Sequence, residues 1–278
     1  MTVSRVSPTR RLSFAPVGGL ALSDRDAGGR GLPFVFEHGI GADDEQTFQV
    51  LPDHPGIRPV TLNLPGHGGS ELGALDDLSI ARFADLLASF IDRRFGRRVL
   101  LGGISMGAAV ALNLAVRRPD LVLGLVLVRP AWRSEAAPDN LAPLAEIGRL
   151  LENHDPATAR ARFVESPTGQ RLAAEAPRSL KSLLQFVNRT PRAETAALLT
   201  RIASSSPGVS EREVGGLRVP TLVVATEAEA VHPPAFADWL AGQIPAARLV
   251  TIPSKAADRA GYLHGMQAAL ARFFEDFA

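Results

Sequence analysis

Eighteen consecutive residues, 99–116, carry no charge, and Gly103-Ile104-Ser105-Met106-Gly107 interrupts them in the middle. A run of that length could span a bilayer, but three glycines, Ser105 and Asn113 argue against it. The stretch reads instead as a buried strand from Val99 to Gly102, a tight turn, and a buried helix. A serine between strand and helix in G-x-S-x-G must sit on a sharp, strained corner with its hydroxyl above a sheet. Glycines at 103 and 107 remove side chains that would collide with the neighbouring strand and helix. The free N–H groups and positive dipole end of the helix face any oxyanion that forms there.

The flanking chain alternates strand and helix. Strand patterns occupy 34–37, 60–64 and 121–128, and then 220–225 and 248–252. Apolar residues Phe83, Leu86, Leu87, Phe90 and Ile91 recur at helical spacing over 80–95, with Gly96 placed as a C-cap. Further helices are predicted over 235–244 and 258–277. This alternation implies an α/β fold with a parallel sheet and helices on both faces. Residues 133–213 break it: short helical segments punctuated by Pro138, Pro143, Pro156, Pro167, Pro177 and Pro191. The expected organisation is a core of 1–132 and 214–278, with 133–213 inserted as a helical cap.

The 30 Lys and Arg balance 29 Asp and Glu, which gives no basic face for nucleic acid. The chain contains no cysteine, so disulfides and thiolate metal sites are excluded. No apolar run in the first 20 residues resembles a signal peptide. A cytoplasmic protein without membrane or nucleic-acid partners is expected, acting on a small molecule as a monomer or homodimer. No metal or dinucleotide motif stands out, and no cofactor is expected.

His38-Gly39-Ile40-Gly41 closes the strand at 34–37, upstream of the serine. A turn there can offer a backbone N–H to an oxyanion, and Ile40 and Met106 are the candidate donors. Together with Pro65-Gly66-His67-Gly68 and the serine turn, these motifs resemble the α/β-hydrolase superfamily, in particular its small bacterial esterase-like and lactonase-like members. The resemblance covers nearly the whole chain. It implies an eight-stranded, mostly parallel sheet and a Ser–acid–His triad, with His38 and His67 structural.

The acid and the base depart from that pattern. After the strand at 220–225 the chain reads Thr226-Glu227-Ala228-Glu229, so Glu229 matches the acid position, with Glu227 beside it. The alternative acid position one strand earlier reads Arg129-Pro130-Ala131 and holds no carboxylate. After the last strand, where the family carries its histidine, the chain reads Pro253-Ser254-Lys255. Of the six histidines, only His232 and His264 follow Glu229. His54 is expected to be exposed, and His154 lies in the cap. His232 is the candidate base, on a loop at the carboxyl edge of the sheet. His264, on the last helix, is the alternative, and a chain with no catalytic histidine is the third reading. Lys255 would need its pKa lowered by several units to serve. Asp43 and Asp44 are expected at the surface.

The expected function is a serine hydrolase that cleaves a small or medium hydrophobic ester, thioester or lactone through an acyl-enzyme on Ser105. The missing terminal histidine keeps two alternatives open. One is a non-hydrolytic enzyme on the same scaffold, such as a lyase or a cofactor-free proton-transfer catalyst. The other is a catalytically degenerate ligand-binding member. A nucleophilic aspartate is excluded, because the residue on the turn is serine.

Overall fold

A computed structural model describes residues 12–277 other than Ala228. Eight strands form one sheet: β1 (Leu12–Val17), β2 (Leu20–Asp26), β3 (Leu32–Glu37), β4 (Ile57–Leu62), β5 (Val99–Ile104), β6 (Val122–Val128), β7 (Thr221–Thr226) and β8 (Ala247–Ile252). Their order is β1-β2-β4-β3-β5-β6-β7-β8. β1 and β2 pair antiparallel, as do β2 and β4, and the remaining pairs are parallel. β5 and β7 are buried at every position, which is why their middles read as continuous apolar runs rather than alternating ones, with buried threonines at both ends of β7.

The β1–β2 hairpin is absent from the sequence expectations. Its signal is Gly18-Gly19, both at positive φ (58° and 87°), the two-residue turn that suits a hairpin's twist. Two short runs of mixed polarity flank it, and they lack the apolar continuity of the central strands.

Helices cover both faces. α1 (Asp44–Val50) and α11 (Arg259–Phe274) pack on one face with Phe34, Phe36 and Val126. The other face carries α2 (Ile80–Phe95), α3 (Met106–Arg117) and α10 (Pro234–Gln243). α2 has the predicted bounds: Ser79 accepts from Arg82 N–H at its start, and Gly96 closes it at φ 56°.

Between β6 and β7 the chain makes six helices: α4 (Ala142–Asn153), α5 (Pro156–Glu165), α6 (Pro167–Glu175), α7 (Pro177–Leu183), α8 (Arg192–Ala203) and α9 (Glu211–Gly215). Pro156, Pro167 and Pro177 each open a helix, where the missing N–H costs nothing. Phe163, Leu172, Leu183, Leu199 and Ile202 are buried and continuous with the α2–α3 core, so the helical block packs onto the sheet domain. No helix among the described residues is long and apolar enough to cross a membrane.

Candidate active site

Ser105 sits between β5 and α3 with φ 57° and ψ −110°. A non-glycine residue at positive φ is strained, and such strain persists only where the surroundings over-determine it. Here they do. Ser105 N–H donates to Val128 O (2.9 Å), and Ala109 N–H donates to Ser105 O (3.1 Å). A Cβ at Gly103 would lie 2.3 Å from the Gly107 carbonyl carbon, and one at Gly107 would lie 2.4 Å from Glu37 O. Both glycines of the motif are therefore required by close backbone approach.

The turn after β3 is pinned from several sides. Gly39 N–H donates to Gln46 Oε1 (2.7 Å) and Gly41 N–H to His67 Nε2 (3.0 Å). Ala42 N–H donates to Gly39 O (3.1 Å). Among the described residues nothing accepts from Ile40 N–H. At the start of α3 no side chain caps the helix, which leaves Met106 N–H similarly open. Gln46 was not singled out from sequence, since nothing seven residues past Gly39 signals its role.

His38 and His67 are buried supports. Leu64 N–H donates to His38 Nε2 (3.1 Å), while His38 Nδ1 meets Gly39 O (2.9 Å) and His67 Nδ1 meets Pro65 O (2.9 Å). Each ring thus carries its hydrogen on Nδ1 and accepts at Nε2. Burial lowers the His38 pKa to about 4. Burial and the neighbouring His38 ring lower that of His67 to about 3. Both are neutral turn braces.

The structure brings His232 and Glu229 to Ser105. His232 Nε2 lies 2.9 Å from Ser105 Oγ, and His232 Nδ1 lies 3.0 Å from Glu229 Oε2. All three are largely shielded: Ser105 is 8 % exposed, and the side chains of His232 and Glu229 are 11 % and 10 % exposed. An ionised carboxylate only accepts, so a neutral His232 carries its hydrogen on Nδ1 and presents a lone pair at Nε2 to the serine hydroxyl. Burial and the Arg129 charge lower the His232 pKa to about 4 against the pull of Glu229. Burial alone would raise the Glu229 pKa, but the His232 hydrogen bond and the Arg129 charge bring it below the usual carboxylate range.

Arg129 is the residue the sequence reading passed over. It follows β6, where the alternative acid would stand, and has φ 48°. Its Nε donates to Glu229 Oε2 at 3.0 Å, its Nη2 contacts the same oxygen, and Nη2 also lies 3.0 Å from His232 Nδ1. The helical block holds the loop from the other side. Asn140 Nδ2 donates to Val231 O (2.7 Å) and Ala131 O (3.0 Å), and Ala230 N–H donates to Ser179 Oγ (3.3 Å).

The other sequence candidates lie elsewhere. His264 is on the exposed side of α11, away from Ser105, because the buried stripe of that helix runs through Tyr262, Met266 and Leu270. Glu227 is exposed. Lys255 is half-buried, and burial together with Arg129 and Arg259 lowers its pKa. His54 is half-buried rather than exposed, edge-on to Phe274 with ring centroids 5.6 Å apart. Asp44 is fully buried, not at the surface. Its N–H donates to Asn63 Oδ1 (2.8 Å), and its carboxylate accepts from Asn63 Nδ2 (3.1 Å), so it fixes the start of α1.

A small cavity of about 30 Å³ borders Ile40 and Gly41 and is walled by Phe186, Arg189, Glu194, Thr195, Leu198 and Leu199 of the helical block.

This strand-turn-helix serine over a mostly parallel eight-stranded sheet defines an α/β hydrolase, and the chain belongs to the Alpha/beta hydrolase family, whose profile it matches over residues 34–274. It is 29 % identical over 231 residues to a pimeloyl-[acyl-carrier protein] methyl ester esterase of Aromatoleum aromaticum, a match covering 77 % of this chain and 86 % of that protein. It is also 36 % identical over 124 residues to the dihydrolipoyllysine-residue acetyltransferase component of the acetoin cleaving system of Cupriavidus necator; that match covers 44 % of this chain and spans only 33 % of that relative's length. Among solved structures, the enol-lactonase of Burkholderia xenovorans superposes with a TM-score of 0.73 at 22 % identity, covering 95 % of this chain and 100 % of that one.

Proposed function

We propose that the protein is a serine hydrolase of the ester class, acting on a carboxylic ester, thioester or lactone. The observation that carries this reading is the Ser105 Oγ–His232 Nε2–Glu229 arrangement at 2.9 and 3.0 Å on an elbow backbone. Ser105 attacks the acyl carbon as its proton passes to His232 Nε2. Glu229 holds the tautomer and stabilises the imidazolium that forms. The N–H groups of Ile40 and Met106 receive the oxyanion, a role in which one donor typically lowers the barrier by about 2.7–4 kcal/mol. His232 then returns the proton to the leaving alkoxide, thiolate or ring oxygen. Water, deprotonated by the same nitrogen, releases the acyl group. The similarity to an ester esterase and an enol-lactonase supports the same class.

The helical block acts as a cap in this reading, since it borders the turn at Ile40 and ties the loop at Val231. Its cavity has room for about one water. An acyl group therefore enters by displacing α8 and the 186–191 segment, past a wall that mixes apolar Phe186, Leu198 and Leu199 with polar Arg189, Glu194 and Thr195.

The test is hydrolysis of a p-nitrophenyl acyl series from acetate to octanoate by wild type and Ser105→Ala. Turnover in the wild type that falls by at least about 10³-fold in the variant is expected. Equal rates for both proteins would remove Ser105 from the chemistry.

A further inference from the structure

Glu229 spends one oxygen, Oε2, on three N–H groups: His232 Nδ1, Arg129 Nε and Arg129 Nη2. A triad acid ordinarily raises the basicity of its histidine because its negative charge faces the imidazolium. Here a guanidinium, which stays protonated at any working pH, sits against the same oxygen and 3.0 Å from the histidine nitrogen itself. Two cations cannot share that position without strong repulsion at low effective dielectric.

The grip on Arg129 is built rather than incidental. Its side chain is 15 % exposed, its backbone is held at φ 48°, and its N–H donates to Val224 O (2.7 Å). Tyr262, buried on α11, faces it, with its own pKa raised by burial.

We propose that Arg129 is a positioning residue of this triad: it locks the Glu229 carboxylate against His232 Nδ1 and, as a fixed cation at that nitrogen, keeps His232 in its neutral, proton-accepting form in mildly acidic solution. The role is distinct from catalysis, since Arg129 acts through Glu229 and His232. It rests on the hydrolase reading only for its kinetic consequence.

The other groups around His232 do not supply the same effect. Ser105, Asn140 and Ser179 carry no charge. Glu229 opposes it, and Glu227 on the same loop is exposed. Lys255 after β8 and Arg259 on α11 are cations, but neither lies in hydrogen-bonding contact with His232, whose ring nitrogens meet only Ser105, Glu229 and Arg129 among the described residues.

The experiment is an NMR titration of the full chain with ¹³Cε1-labelled histidine, with the His232 resonance assigned by its loss in His232→Gln. The wild-type His232 midpoint is expected below pH 5, near the value of about 4 that its surroundings favour. In Arg129→Met the midpoint moves up by about one pH unit or more, and the acid limb of kcat/KM for a p-nitrophenyl ester moves with it. Arg129→Gln keeps a hydrogen-bonding side chain without the charge and shows the same shift, so either variant serves if the other does not fold. A wild-type midpoint near the ordinary histidine value, or a midpoint unmoved in the folded variants, overturns the proposal. A wild type that neither hydrolyses esters nor reacts with a fluorophosphonate, while its midpoint still moves in Arg129→Met, overturns the hydrolase reading and leaves this one standing.

Discussion

The two halves of the site are held together by different physics. The elbow and the turn after β3 are shaped by backbone. Two glycines permit approaches that a Cβ would forbid, and neutral histidines and Gln46 occupy the amide groups of the turn. The loop after β7 is shaped by side chains from distant stretches: Arg129 after β6, Asn140 and Ser179 from the helical block, and its own Glu229 and His232. The first half is neutral and tolerates no added volume. The second is a charge balance that a single substitution can tip.

Glu229→Gln breaks the second half most severely. The neutral amide oxygen holds Arg129 and Nδ1–H more weakly than the carboxylate does, and the new NH2 group can donate to Nδ1, which favours the unproductive tautomer. The loss in kcat is expected to be roughly 10²–10⁴-fold with KM little changed. A fall smaller than about threefold would show that the carboxylate does not orient His232.

Acid separates the halves by proton count. Three histidines with depressed pKa values, His38, His67 and His232, are neutral when folded and take up protons on unfolding below about pH 6.5. Glu37, whose pKa burial raises well above its ordinary value, is protonated when folded and loses its proton on unfolding above about pH 4.5. Three taken up less one released leaves a net uptake of about two protons between those limits, so stability falls as pH drops through that window. The pH dependence of urea unfolding measures the slope. His67→Gln should reduce it by about one proton, and a flat profile would contradict neutral buried histidines.

Gly107→Ala attacks the first half alone. The added Cβ would press on the backbone of Glu37 and His38, at a cost of typically 1–3 kcal/mol, seen as a lowered urea midpoint. An unchanged midpoint would mean that the elbow yields more easily than its contacts suggest. The gentlest change is Asn140→Ala, which frees Val231 from the helical block. With about 1 kcal/mol for each of its two hydrogen bonds, the urea midpoint should fall modestly and kcat about three- to tenfold; an unchanged kcat would show that this tie does not position His232.

This contrast also explains what the sequence disclosed. The Gly103–Gly107 motif, the bounds of α2 and the apolar runs of β5 and β6 are local signals, so they were legible. The acid and base candidates Glu229 and His232 were reachable because only six histidines exist and chain order left two. Arg129 was seen only as an absent carboxylate, since its partner is 100 residues away. The buried state of Asp44 was equally invisible, because Asn63, just after β4, and Arg25, on β2, come to it from distant parts of the chain. The β1–β2 hairpin was missed although Gly18-Gly19 announced it.

The proposed role of His232 is to activate Ser105 from the loop after β7. Fluorophosphonate labelling of wild type, His232→Ala and His264→Ala tests it most directly. Rapid labelling of wild type and His264→Ala, with labelling slowed by at least about 10³-fold in His232→Ala, is the predicted result. Undiminished labelling of a folded His232→Ala protein would contradict it.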